Sequence, residues 1–180
     1  ERAGELAETE PAIDDPLPIF GPVAAAGSAA NYGVAIEESG AEVTDYVRTS
    51  VERGRALSGA DVAQAHAEMD RFRAQMGRFF EQHDILLTPT LVRGAYPHGE
   101  IVREIEGVPI SPFAVSIFYT AAFNVTQQPA ATVPTGFDDE GMPTAIQIVG
   151  RRGDEVTVFR VAAALEESMP WSDRQPELAQ

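Results

Sequence analysis

Few side chains in this sequence could act as nucleophiles or bases. The candidate hydroxyl nucleophiles are Ser111, Ser116 and Ser168, and the titratable histidines are His66, His83 and His98. A serine becomes reactive only when a neighbouring base takes its proton. The 180 residues contain neither a Gly-x-Ser-x-Gly motif nor a local pairing of serine with histidine. The sequence alone therefore predicts no complete serine active site.

The basic and sulfur-containing residue types restrict the chemistry further. All 13 basic residues are arginine, and there is no cysteine. Without lysine, these residues supply no Schiff base, no P-loop lysine and no lysine general base. Without cysteine, they supply no disulfide, no thiol nucleophile and no zinc knuckle. Several classes of enzyme are excluded for the 180 residues on their own.

The acidic side chains do not form a recognisable metal site. His66 and Asp70 are four residues apart and could meet on one helix, but no third ligand follows at a readable spacing. A surface hydrogen bond is the favoured interpretation of this pair. The acidic run Asp138–Gly141 lacks the alternating ligands of an EF-hand loop and is interpreted as a turn. We expect neither a metal nor a cofactor.

Charge and composition limit the partners. The net charge is −15 and the pI is about 4.4, which argues against binding to nucleic acid or to an anionic membrane surface. With 44% hydrophobic residues the chain is expected to fold around one core. Because it opens on Glu1 and an acidic stretch, we interpret it as a piece of a longer polypeptide. We expect a cytoplasmic protein, and a homodimer is one arrangement that the sequence leaves open.

Two long stretches carry no charged side chain, Pro16–Ile36 and Gly107–Phe137. Both are long enough to raise the question of a membrane span. Several prolines interrupt each of them, and a lost backbone hydrogen bond needs another partner in lipid. We therefore expect no membrane span, and burial of both stretches against another part of a larger protein.

Periodicity and capping residues predict alternating helices and strands, and hence an α/β layered fold. The clearest helix runs from Ser58 to Gln82, with Ser58 and Asp61 resembling a capping box. Its apolar face ends at Phe79, and arginines 71, 73 and 78 lie off that face and are expected to be solvated. The other predicted helices are 17–38, 44–52 (ended by Gly54), 113–125 and one that starts after Asp154 and ends before Pro170. The predicted strands are 85–87, 131–133 and 145–149, and residues 92–112 are predicted to be loop.

An ordered set of short motifs from about Phe79 to Trp171 resembles the C-terminal portion of the amidase signature family, which hydrolyses carboxylic amides. The motifs are the Thr-Pro-Thr corner after a strand (84–90), the Phe-Asn…Pro-Ala…Val-Pro-x-Gly signature (123–136), the following hairpin strand (141–150), the start of the last helix (151–155) and Pro170-Trp171. Each motif is weak, but their order and spacing are family-like. The chain departs from the pattern at Gln127 and Ala145, where the family usually has glycine.

The resemblance implies a fold and a division of labour. The fold would be the layered amidase-signature fold, a mixed β-sheet flanked by helices. Residues 1–180 would be the C-terminal portion of one amidase domain, with residues 1–57 a weakly matched leading segment and 58–171 the family-like region. The family's serine nucleophile, second serine and lysine base lie in a Gly-Ser-rich segment N-terminal to this region. No catalytic residue is therefore assigned here, and the partner of this chain would be the N-terminal catalytic portion of the same enzyme.

The resemblance also implies a wall of the substrate pocket. In family members that take long acyl amides, the helix before Phe-Asn lines the acyl channel. Matching that helix here gives Ala114, Ile117, Phe118 and Ala121 as pocket residues on one face, at spacings of three and four. Packing of this face in a core is the alternative. Arg152 and Gly153 would lie at the pocket rim by the same matching.

Three functions remain open at this point. The favoured one is an amidase that forms a serine acyl-enzyme from a small-molecule amide. The first alternative is the glutamine-hydrolysing subunit of a tRNA-dependent amidotransferase, whose members usually carry an Asp-rich, Tyr-containing stretch where this chain has Ile110-Ser-Pro-Phe-Ala-Val. The second alternative is a non-catalytic acidic binding module of amidase-like shape.

Overall fold

A computed structural model describes residues 4–40 and 42–171. Its helices are α1 (Leu17–Ser39), α2 (Asp45–Ala56), α3 (Gly59–Gln82), α4 (Pro112–Ile117), α5 (Ala121–Thr126) and α6 (Glu155–Ser168). Its strands are β1 (Ile85–Pro89), β2 (Glu104–Ile105), β3 (Val108–Pro109), β4 (Ala130–Phe137) and β5 (Pro143–Gly150).

Helix α3 begins at the predicted capping box. The Ser58 backbone N–H donates to Asp61 Oδ2 at 2.8 Å, and the Asp61 N–H donates to Ser58 Oγ at 3.2 Å. Hydrogen bonds from Ser58 hold the pKa of Asp61 below its ordinary value. The buried face comprises Ala65, Met69, Phe72, Met76 and Phe80. The predicted helix is confirmed, although Phe80 takes the buried place expected of Phe79.

Strand β5 is the centre of a three-stranded antiparallel sheet in the order β1-β5-β4. On one face, Val149 joins Leu86 in a core cluster with the buried side of α3. On the other face, Ile148 and Val133 pack against Val158 of α6. The sheet is therefore covered by helices on both sides, and the α/β class is confirmed. These strands pair antiparallel, so the mixed sheet stays an expectation for a longer polypeptide.

The β4–β5 hairpin follows its predicted turn. The Asp138 carboxylate accepts from the backbone N–H groups of Glu140 and Met142, which fixes the turn without a metal. The pairing register shifts between Pro134 and Gly136, so β4 carries a bulge. The turn predicted at residues 138–141 is confirmed.

Helices α1 and α2 pack side by side at very short range. The Ser50 hydroxyl donates to Ser28 Oγ at 3.0 Å, and Arg55 donates to the Gly33 carbonyl at 3.1 Å. A Cβ atom added at Gly54 would collide with the Ala25 carbonyl oxygen and lie 2.8 Å from Ala29 Cβ. The prediction that Gly54 ends the helix is wrong, because α2 continues to Ala56. The missing side chain of Gly54 instead permits the close packing of α1 against α2.

The region from 92 to 125 differs from its prediction in two places. Strands β2 and β3 form a hairpin inside the predicted loop, with positive φ at Glu106 (50°) and Gly107 (80°), as tight hairpin turns require. The single helix predicted over 113–125 is instead the pair α4 and α5. The break between them places the Tyr119 carbonyl 3.1 Å from the buried Gln147 Nε2, which donates to it. The buried side-chain amide of Gln147 thus uses the Tyr119 carbonyl as its acceptor. In a continuous helix this carbonyl would accept from a backbone N–H group.

Gln127 follows α5 in the left-handed conformation, with φ of 60° and ψ of 37°. Its N–H donates to the Phe123 carbonyl at 2.8 Å and ends the helix. The left-handed region favours glycine, and this is the position at which the amidase pattern usually has it. Gln127 thus forms the turn that glycine usually forms in the family, although the left-handed backbone is less favourable for glutamine than for glycine.

Among the described helices, α1 alone is long and apolar enough, over Leu17–Glu38, to cross a membrane by length and composition. Core helices of soluble proteins pass the same test, so this observation is weak evidence. The helix predicted over 17–38 is confirmed.

The close α1–α2 contact predicts that Gly54→Ala destabilises the protein by about 1–3 kcal/mol, because the methyl group would overlap the Ala25 backbone. The matched control is Gly77→Ala, at an exposed position inside α3 with no atom near its Cβ, which should stabilise by about 0.5–1 kcal/mol. Urea unfolding measures both. Equal effects of the two substitutions would contradict the close packing.

The left-handed Gln127 predicts that Gln127→Gly is more stable than Gln127→Ala by about 1–2 kcal/mol. Both substitutions remove the same side-chain contacts, so their difference isolates the backbone strain. The measurement is the midpoint of thermal or urea unfolding. A glycine variant no more stable than the alanine variant would show that this position is not strained.

Candidate functional site

A groove with a volume of about 1,020 Å³ lies between α1, α2 and α4. Gly21 and Ala25 of α1 form part of one wall, and Tyr46 and Phe113 contribute aromatic rings. The side of the groove on α4 includes Ile117. Small residues on α1 leave this space open because they hold few side-chain atoms. The groove can accommodate an apolar group.

Three aromatic rings form a column beside this groove. The Phe113 ring lies 6.3 Å from the Phe20 ring and 6.2 Å from the Tyr46 ring, each pair at an interplanar angle of 25°. Tyr46 is 65% exposed and Phe113 40% exposed, so part of each ring is accessible to a bound group. Rings in this arrangement favour an apolar or aromatic occupant.

The polar groups in the groove do not constitute a catalytic unit. Ser111 and Ser116 line it, together with the charged side chains of Asp45 and Arg53. None of the three histidines is among the described lining residues. His83 instead stacks on Phe79 at 4.2 Å and contacts the Phe79 carbonyl through Nδ1. The groove could bind a substrate group but lacks a base that would activate a serine.

The predicted pocket residues do not share one face. Ala114 and Ala121 are buried, at 4% and 0% exposure, whereas Phe118 is 47% exposed. Ile117 lines the groove. The expectation of one face is wrong for Ala121, which begins α5 beyond the helix break, whereas Ala114, Ile117 and Phe118 keep the helical spacing of α4 and its cap. The acyl-pocket role itself stays a prediction, and Ile117 is the member of the set with access to an open space.

The predicted rim residues lie near a different hollow. Arg152 lines a space of about 440 Å³ with Arg73 and Arg151, and Gly153 adopts a φ of 81° in the adjoining turn. The rim role of Arg152 and Gly153 stays a prediction. The expectation that Arg73 is solvated is wrong, because its side chain is only 25% exposed and its Nε donates to the Val125 carbonyl at 3.0 Å.

The start of α6 fixes the backbone that follows this second hollow. Asp154 Oδ1 accepts from the Thr157 N–H at 3.2 Å, which confirms the predicted cap. Hydrogen bonding from Thr157, helped by the charges of Arg151 and Arg160, holds the pKa of Asp154 below its ordinary value. The carboxylate is therefore ionised at neutral pH and keeps the helix start in place.

The remaining polar candidates have structural explanations. Asp70 Oδ1 accepts from Arg73 at 3.0 Å, so its pairing is with that arginine. Within residues 4–40 and 42–171, no cluster of three His, Asp or Glu side chains could hold a metal ion. The aromatic column does not follow from the sequence, since its rings come from positions 20, 46 and 113; the available signal is the lack of charge in the stretches that supply two of them.

Comparison with known proteins gives consistent matches. A family model for amidases matches residues 25–159. An acylamidase of Rhodococcus erythropolis is 32% identical over 145 residues, which cover 78% of this chain and 30% of that protein. A subunit of the glutamyl-tRNA(Gln) amidotransferase of Thermosynechococcus vestitus is 36% identical over 106 residues, 59% of this chain and 21% of that protein.

Solved structures agree with the sequence relatives. The structure of 6-aminohexanoate cyclic dimer hydrolase superimposes with a TM-score of 0.76 at 28% identity, covering 91% of this chain and 37% of that one. The chain thus spans between 21% and 37% of the length of these relatives. Since the family model covers more than half of the sequence and the fold agrees with it, the chain belongs to the amidase signature family.

Proposed function

We propose that the intact protein hydrolyses carboxylic amides to an acid and an amine or ammonia, and that these 180 residues are its C-terminal portion. The family match over residues 25–159 carries this proposal. The mechanism would be acyl transfer to a serine, followed by hydrolysis of the ester, with backbone donors stabilising the oxyanion. The serine and its lysine base would come from the N-terminal catalytic portion, since this sequence contains no lysine.

This portion would complete the sheet and form the acyl side of the pocket. The open groove beside Ile117 supports such a role, because its lining combines small apolar residues of α1 with the accessible parts of the Tyr46 and Phe113 rings. Binding energy from a remote acyl group can position the scissile bond at catalytic groups elsewhere. The groove would therefore act on specificity.

The glutamine-hydrolysing component of an amidotransferase is the alternative, and the Thermosynechococcus relative supports it. The free-standing amidase is favoured, because Ile110–Val115 replaces the Asp-rich, Tyr-containing stretch usual in that branch. A glutaminase assay with and without partner subunits separates the two. A non-catalytic binding module would be inactive in both this assay and an amidase assay of the intact protein.

The isolated 180-residue chain is expected to have no amide hydrolase activity, because it supplies neither the lysine base nor the serine-rich segment. The measurement is turnover of simple acyl amides by the purified chain and by the intact protein. Activity in the isolated chain that changes with substitutions in its own serines would contradict the division of labour.

In the intact protein, Ile117→Phe should narrow the groove and lower kcat/KM for bulky acyl amides by about 10- to 200-fold, the effect of one or two methylene-sized contacts. Short acyl amides should be nearly unaffected. The measurement is the ratio of specificity constants for a long and a short acyl amide.

The matched control for this experiment is Ala121→Phe, since Ala121 is fully buried. Overpacking there should cost about 1–3 kcal/mol of stability and lower activity on all substrates together. An unchanged specificity ratio in Ile117→Phe, with a lowered melting temperature, would show that the groove is not part of the substrate pocket.

A further inference from the structure

Three arginine residues line one small hollow in a strongly acidic chain. The hollow has a volume of about 440 Å³ and lies between the second half of α3, the end of α5 and the loop after β5. Arg73, Arg151 and Arg152 line it, with Glu81 as the acidic lining residue. The sequence has a net charge of −15, so a hollow lined by three arginines contrasts with the acidic chain as a whole.

Two of the three arginines are already matched by carboxylates. Arg73 bonds to Asp70 Oδ1 at 3.0 Å and to the Val125 carbonyl at 3.0 Å. Arg151 bonds to Asp84 Oδ1 at 2.9 Å and through Nε to the His83 carbonyl at 3.3 Å. These contacts fix the orientation of both guanidinium groups.

Arg152 is bound differently from its neighbours. Its guanidinium donates to Gln127 Oε1 at 2.8 Å, so the acceptor is a neutral amide. Within the described part of the chain, no salt bridge involves Arg152. Gln127 is the residue held in the left-handed conformation, so a strained backbone position supplies the acceptor that orients this guanidinium.

We propose that this hollow binds one carboxylate group, with Arg152 as the principal donor. A guanidinium fork matches the two oxygens of a carboxylate, and Arg152 is the lining arginine that has no carboxylate partner among the described residues. Glu81, Asp70 and Asp84 stand close by and balance the three arginines in formal charge, so the site suits the single charge of one carboxylate group better than the two charges that a phosphate carries on one group. This site is separate from the acyl groove and does not depend on the proposed amidase activity.

The carboxylate has two sources, a small molecule from solution or an Asp or Glu side chain from another part of the intact polypeptide. The test uses the intact protein and its melting temperature, with glutarate as the probe and phosphate as the comparison, at constant ionic strength. The variant is Arg152→Gln. The matched control is Arg71→Gln, which makes the same charge change on α3 at a side chain that is 70% exposed.

If the carboxylate comes from solution, glutarate should raise the melting temperature of the native protein and of Arg71→Gln in a saturable manner. Arg152→Gln should bind at least about tenfold more weakly, the loss of one charge-assisted contact. If the polypeptide supplies the carboxylate, glutarate should have no effect. Arg152→Gln should then melt lower than Arg71→Gln at low salt, Arg152→Lys should restore part of the loss, and added NaCl should reduce it.

Either pattern supports the carboxylate site and identifies its source. A larger shift with phosphate than with glutarate would overturn the assignment of the ligand. The absence of both an Arg152-dependent glutarate effect and a salt-sensitive loss of stability would overturn the site. Because the readout is melting rather than turnover, these outcomes are independent of whether the intact protein hydrolyses amides.

Discussion

The side-chain amide of Gln147 connects three parts of the structure. Because it is buried, it must find its hydrogen-bond acceptors within the protein. It is 3% exposed, on the central strand, and its Nε2 donates to Thr88 Oγ1 at 2.9 Å and to the Tyr119 carbonyl at 3.1 Å. A buried amide without partners would cost about 1–3 kcal/mol, so the surrounding backbone must present acceptors to it. Strand β5, strand β1 and the break between α4 and α5 therefore form one hydrogen-bonded unit.

That break determines which side chains meet the core and which meet the groove. Helix α5 places Ala122 and Phe123 in the core cluster that contains Val149 and buries Ala121, whereas Ile117, at the end of α4, lines the groove next to α1 and α2. A continuous helix would have placed Ala114, Ile117 and Ala121 on one face. The division between packing residues and groove residues thus depends on a polar contact made by a different element.

The long helices and the main hairpin were predictable because their signals are local. Ser58 and Asp61 cap α3 through bonds three residues apart, and the Asp138 turn is satisfied within itself. The helix break was not predictable, since Tyr119 and Gln147 are 28 residues apart and no local sequence feature at Tyr119 indicates the contact. The role of Gly54 was hidden for the same reason, because its close neighbour is the Ala25 carbonyl of another helix. The groove combines rings from three separate segments, so only its apolar character could be read from the sequence.

The bulge in β4 separates the hairpin into two parts that tolerate change differently. Val133 still pairs with Ile146 and packs towards α6, while beyond Pro134 the register is offset by Thr135 and resumes at Gly136 opposite Thr144. Side chains alternate between the two faces of a strand, so an extra residue resets that alternation. We therefore expect an insertion or deletion at the hairpin tip to change the strand pairing only beyond Pro134, whereas the part that packs against α6 keeps its register. A change of length at this tip should therefore leave the sheet packed against α6.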